Sequence, residues 1–172
     1  AVGRSTAVSG GLLLGAAGAI TETDAAANLE TELNGTIHAA GNVQVSADAI
    51  NHSDTQAAGV GGGTVGIGVS IAKSHIGGAV DAHSDGAVYG NTLLVRGTAT
   101  NTANAEGFAL AGGLLAVGFN YATTDIESEV KARVFFDKSY VEGDVDFIFG
   151  DATAFFYRSE IRSLGARKNS YV

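Results

Sequence analysis

The sequence predicts an all-β protein, a right-handed parallel β-helix (β-solenoid) with about two rungs per 50-residue repeat, and three observations carry that expectation. The chain repeats itself: Ala7, Gly10 and Gly11 recur as Ala58, Gly61 and Gly62 and again as Ala109, Gly112 and Gly113, each fifty-one positions later. Within a repeat the apolar residues alternate with a period of two, the spacing of a strand. The alternating runs are separated by Asn-Gly, Asp-Gly, Gly-Asn and Gly-Gly pairs, whose residues tolerate the left-handed backbone of a tight corner.

Taken in order, Asn34-Gly35 and Gly41-Asn42 form the first corners, echoed by Asp85-Gly86 and Gly90-Asn91. Val43, Val45, Ala47 and Ala49 form a strand, echoed by Leu93, Val95, Gly97 and Ala99. Val65, Ile67, Val69 and Ile71 form another, echoed fifty later by Leu115, Val117, Phe119 and Tyr121. Ile76, Val80 and Ala82 return as Ile126, Val130 and Ala132. Short strands and sharp corners in a unit of fixed length suit a coil that stacks on its own copy, and parallel crossovers are right-handed by default. An antiparallel sandwich or barrel would also show short strands, but hairpins need no such repeat.

Composition bounds the function. The 172 residues suffice for one sizeable core, and hydrophobic content of 45% with 16% charge excludes a disordered tail. Trp, Met, Pro and Cys are absent, and Ala and Val dominate, so the core is made of small residues in thin layers. The net charge is −8, about −7 of it before Val134, which argues against nucleic acid and anionic membrane as partners. Residues 11–20 and 107–119 are apolar but fall short of the roughly 20 residues of a membrane-spanning helix, so no membrane insertion is expected. Without cysteine, neither disulfides nor thiolate metal sites can form. The missing initial Met and the absence of a leader pattern read as an excised fragment.

After Val134 the composition changes: nine of the thirteen aromatic residues lie beyond it, and twenty-two of the twenty-five glycines lie before it. Residues 1–134, above all GVGGGTVGIGVSIAKSHIGGAVDAHSDGAVYG and TLLVRGTATNTANAEGFALAGGLLAVGF, resemble the repeats of large secreted bacterial filamentous adhesins and haemagglutinin-like proteins. The resemblance implies a β-helical shaft, secreted or on the bacterial cell surface, that acts as scaffold or adhesin toward a host-surface receptor or glycan. Residues 135–165, carrying Val145-Asp146-Phe147-Ile148-Phe149-Gly150, resemble pectin methylesterase, itself a right-handed parallel β-helix. That resemblance implies that Asp146 stands at the position of the catalytic nucleophile.

The reaction is expected to be absent all the same. The family's partners of that aspartate are an acid/base aspartate in an upstream Gln-Asp-Thr-Leu motif and an arginine in a downstream Leu-Gly-Arg-Pro-Trp motif. Gly90-Asn91-Thr92-Leu93 has Asn where the acid must stand and lies too far upstream, and Leu164-Gly165-Ala166-Arg167 cannot supply the second motif. An aspartyl nucleophile needs a second, protonated carboxyl and a positive group to hold it. Only Asp144, Asp151, Arg158 and Arg162 stand near enough in sequence to rebuild such a site.

Other candidates read as structural. His38, His52, His75 and His83 are scattered, with no pair at metal-ligand spacing, and are expected to be solvated rung or corner residues; no metal and no cofactor is expected. The run GVGGGTVGIG lacks the Lys-Ser/Thr of a phosphate loop and the aspartates of a calcium repeat, so it is read as a close-packed strand. Thr98, Thr100 and Thr102 alternate as an ice-binding ladder would, but the ladder does not recur.

The sequence therefore describes one continuous solenoid. Residues 1–134 are adhesin-like repeats, and residues 135–172 are esterase-type rungs that extend or cap them, joined by engineering or recombination. Its expected function is non-catalytic and structural, with self-association through exposed solenoid ends. The alternative is a pectin methylesterase-like carbohydrate esterase or polysaccharide-binding module.

Overall fold

In a computed structural model, which describes residues 1–137, 139–143 and 153–163, every pairing of strands is parallel. The first repeat contributes β1 (Val2–Gly10), β2 (Leu14–Ala26), β3 (Leu29–Leu33) and β4 (Thr36–His38). The second contributes β5 (Asn42–Gly62), β6 (Val65–Gly77), β7 (Ala79–Ser84) and β8 (Ala87–Tyr89). The third contributes β9 (Thr92–Gly112), β10 (Leu115–Ile126) and β11 (Glu129–Asp137), after which come β12 (Tyr140–Gly143), β13 (Thr153–Tyr157) and β14 (Glu160–Ser163). Corresponding strands lie side by side in the orders β1-β5-β9, β10-β6-β2, β13-β11-β7-β3, β12-β14 and β4-β8. The fold is all-β with parallel sheets, consistent with a β-solenoid.

The pairing step corrects one expectation. Leu14 pairs with Val65, Val65 with Leu115, Leu29 with Val80 and Thr36 with Ala87, so neighbouring strands are a whole repeat apart. Two rungs per repeat would have halved that step. The reason is strand length: β5 and β9 run for 21 residues each, because the alternation begun at Val43 continues through Asn51, Ser53 and Thr55 with no corner residue to stop it. Register differs as well. Ala7 pairs with Gly59, not Ala58, and Gly10 with Gly62. The step then shortens between β5 and β9, where Asn51 bonds Asn101 and Gln56 bonds Glu106. Past residue 132 it drops to twenty, with Arg133 opposite Thr153 and Tyr140 opposite Glu160.

The contacts divide the chain into two units, the first made of residues 1–28, 49–78 and 99–129. Here two sheets face each other across an interior of very small residues. On β5 the inward positions are Ser53, Thr55, Ala57, Gly59 and Gly61, and on β6 they are Gly66, Gly68, Ser70, Ala72 and Ser74. Ala19, Ala57 and Ala72 form the apolar centre, flanked by Ala7 and Ala105. Hydroxyls cross from sheet to sheet: Ser70 donates to the Ala57 carbonyl at 2.7 Å, Thr55 to that of Lys73 at 3.0 Å and Thr21 to that of Gln56 at 3.0 Å. A carbonyl has two lone pairs, so these bonds add to the ladder instead of competing with it.

Glycine allows that approach. A Cβ built on Gly59 would fall inside the backbone carbonyl of Val69, and one on Gly61 inside that of Ile67. Sheets commonly pack about 10 Å apart because side chains stand between them, and here backbone meets backbone. The larger apolar residues consequently face outward, leaving Leu115 at 67%, Val117 at 61% and Phe119 at 54% exposure. At the end of β6, Gly78 has φ of +100° and packs on the Ala27 backbone, a position that excludes any side chain twice over.

The second unit comprises residues 29–48, 79–98 and 130–172. Its interior is more conventional, with Val43, Val45, Ala47, Val80 and Ala82 buried. His38 stacks on Tyr89 across β4 and β8, their ring centroids 4.5 Å apart, and Phe136 stacks on Phe156 at the same separation. In-register aromatic stacking of this kind follows from parallel pairing, which sets equivalent side chains one above another.

Candidate functional site

Asp146, the residue matched to the esterase nucleophile, lies outside the described residues, as do Asp144, Asp151 and the segment Leu164–Arg167. Of the groups named as replacements for its partners, Arg158 is exposed, sits at φ of +51° and places its guanidinium 4.9 Å from the Tyr157 ring centroid. Arg162 is exposed too, and donates to the Tyr140 hydroxyl at 3.4 Å. Asn91 occupies the corner before β9, where its backbone N–H donates to the Gly41 carbonyl, and its position is structural. Thr98, Thr100 and Thr102 lie exposed along β9.

The richest cluster of ionisable groups among the described residues of the second unit gathers on sheet β3-β7-β11 instead. Parallel pairing sets Glu30 opposite Asp81 and Glu32 opposite His83. Because strand side chains alternate, Asp81 and His83 share a face with both glutamates, and Asp85 follows at the corner. His83 Nε2 lies 3.8 Å from Glu30 Oε1, 3.8 Å from Glu32 Oε1 and 3.9 Å from Asp85 Oδ2. Its Nδ1 faces Asp81 Oδ1 at 3.6 Å. These separations are too long for hydrogen bonds.

His83 is only 7% exposed, and its Nδ1 is buried with no hydrogen-bond partner. This corrects the expectation of four solvated histidines. His38 and His52 are exposed as expected, and His75 is half-buried beside Asp125 at 3.4 Å, but His83 is enclosed. Arg133, from β11, donates to both Asp81 carboxylate oxygens. The Arg133 hydrogen bond holds the Asp81 carboxyl below the usual carboxylate range, against the opposing effect of desolvation. The guanidinium pKa is raised in turn, chiefly by the same bond.

Sequence reasoning missed this cluster because the histidines were compared only with one another, so Asp81, His83 and Asp85, which alternate onto one face of β7 and its corner, went unread, and the two glutamates come from the repeat before. The signal was nonetheless present, since laying the repeats over each other at fifty-one places Glu30 on Asp81 and Glu32 on His83. Asp85 also reaches the wall of an open cleft of about 650 Å³ in the same unit, whose aromatic lining is Tyr89, Phe135, Phe136 and Tyr140.

Fold and cluster together define a parallel all-β repeat protein with an acidic, histidine-centred face. No family model, curated protein or solved structure matches the chain.

Proposed function

We propose that the chain is a non-catalytic structural segment, a right-handed β-solenoid shaft of the kind that secreted or surface-bound bacterial filamentous adhesins carry. The observation that supports it best is the parallel pairing of each strand with its equivalent a full repeat away. Such a unit contacts only its neighbours, so it can be extended indefinitely, the property a fibre needs. Right-handed crossovers are the rule for parallel strands. The fall of the pairing step to twenty where the aromatic composition begins supports esterase-type rungs as an extension or cap. A host-surface receptor or glycan as ligand, and association through exposed ends, follow from the adhesin reading.

Chain extension tests it. Inserting three further copies of residues 49–98 should lengthen the particle by about 14 Å in small-angle scattering, one strand spacing per copy. An unchanged maximum dimension would overturn the solenoid reading, and a doubled increment would restore two rungs per repeat.

A second reading, a pectin methylesterase-like esterase or polysaccharide-binding module, draws on the Asp146 motif and on the cleft, since Tyr89 and Tyr140 present aromatic rings of the kind that sugars stack on. Methanol release from methyl-esterified galacturonan, abolished in Asp146→Asn, would establish the enzyme and sink the non-catalytic proposal.

A further inference from the structure

His83 presents both ring nitrogens to carboxylates. Nδ1 faces Asp81, and Nε2 faces oxygens of Glu30, Glu32 and Asp85 at separations too long for hydrogen bonds. Carboxylate oxygens gathered this closely repel one another unless a positive centre lies among them. The surrounding cations supply it only in part: Arg133 is hydrogen-bonded to Asp81 and reaches Asp85 and Glu30 at longer range, and Lys131 acts on Asp81 in the same way. Four carboxylates against these two cations leave a formal charge of −2 around the imidazole ring.

We propose that the missing centre is a divalent transition-metal cation, bound by His83 Nε2 and the carboxylates of Glu32 and Asp85, with Glu30 at its rim. The three ligand atoms lie within 4.8 Å of one another. Zinc with bonds near 2.0 Å requires tetrahedral ligands about 3.3 Å apart, so each carboxylate must approach His83 by about 0.5 Å. The exposed side chains of Glu32 and Asp85 are free to swing that far. An imidazole ligand favours zinc and its neighbours over calcium or magnesium, which prefer oxygen alone. The sign of a ligand beyond the carboxylates is the His83 side chain, only 9% exposed, which aims Nε2 into the group with every oxygen there beyond hydrogen-bond range.

The surroundings match a metal-bound histidine in a further respect. Such an imidazole gives its other N–H to a carboxylate, which fixes the ring and raises its basicity. Asp81 Oδ1 lies on that side of the ring at 3.6 Å, held by Arg133 from the next strand, and would accept the N–H once metal binding drew the two together. Glu32 belongs to one repeat, His83 and Asp85 to the next, and Arg133 to the third, so the ion would pin successive repeats together.

Calorimetric titration of the full chain with zinc chloride at pH 7.5, in a non-chelating buffer, tests this. One ion should bind per chain. Glu32→Gln and Asp85→Asn should each weaken binding at least tenfold, His83→Gln should abolish it, and Asp81→Asn should weaken it by about ten- to a hundredfold through its hold on the ring. His75→Gln, at the half-buried histidine beside Asp125, should leave it unchanged. Cobalt in place of zinc should give the visible absorption of a four-coordinate site, absent in His83→Gln. If His83→Gln does not fold by circular dichroism, the two exposed carboxylate variants decide the matter. Absence of saturable binding, affinity unaffected by those variants, or calcium binding as tightly as zinc would overturn the proposal.

Discussion

Substituting Gly59 by alanine should expose how closely the sheets of the first unit pack. The added Cβ meets the backbone carbonyl of Val69 on β6, which cannot rotate away as a side chain would. Relief requires the sheets to part locally, and overpacking of this sort costs about 1–3 kcal/mol. The Ser70 hydroxyl bond to the Ala57 carbonyl, 2.7 Å long and two residues away, would stretch as they part. Its loss adds about 0.5–1.5 kcal/mol. Against these stands the lower unfolded-state entropy of alanine, which returns about 0.4–1 kcal/mol. The net destabilisation is about 0.5–4 kcal/mol and centres on about 2 kcal/mol, which for a urea m-value of about 2 kcal/mol/M lowers the denaturation midpoint by about 1 M. Gly62, on the same strand, is the internal control, since a Cβ there makes only ordinary contact with the Ser9 carbonyl. Gly62→Ala should stay within about 0.5 kcal/mol of the parent. Equal midpoints for the two variants, read by circular dichroism, would refute backbone-to-backbone packing.

Two other perturbations probe the polar interior and the charged face. Thr55→Val keeps the shape of a fully buried residue and removes its bond to the Lys73 carbonyl; it should cost about 0.5–1.5 kcal/mol in the same urea assay, with no change of m-value. Asp81 has a folded pKa below its unfolded one, so its contribution is complete above the ordinary carboxylate range and is lost as pH falls through the lowered value. In the presence of EDTA, Arg133→Gln should therefore lower the urea midpoint at pH 6, and the difference from the parent should vanish as pH falls through the lowered Asp81 pKa. Parallel curves across that range would remove the pair from the account of acid stability.

Strand positions and the repeat were legible because Val65, Ile67, Val69 and Ile71 alternate cleanly and because their echo at Leu115 to Tyr121 falls at the pairing step the structure adopts. Register was less legible in β1 and β5. Gly10-Gly11 aligns with Gly61-Gly62 by identity, yet Gly10 pairs with Gly62, and glycines carry no side chain to penalise a slip of one. The length of β5 was less legible because Asn51, Ser53 and Thr55 are polar yet buried, Ser53 and Thr55 by bonding across the interior to the Thr23 and Lys73 carbonyls and Asn51 by bonding Asn101 on the neighbouring strand. His83 stayed hidden for a different reason: Asp81 and Asp85 flank it in sequence, but Glu30 and Glu32 reach it only through the pairing of β3 with β7.

An interior of glycine, alanine, serine and threonine also has a thermal consequence. Heat capacity of unfolding rises with apolar surface exposed and falls with polar surface exposed, reaching about 12–15 cal/mol/K per residue in ordinary domains. The first unit hides backbone and hydroxyls from water while leaving Val117 and Phe119 in it, so its value per residue should lie below that range. A smaller heat capacity flattens the dependence of stability on temperature. The stability of the first unit would then change little between cold and warm solution.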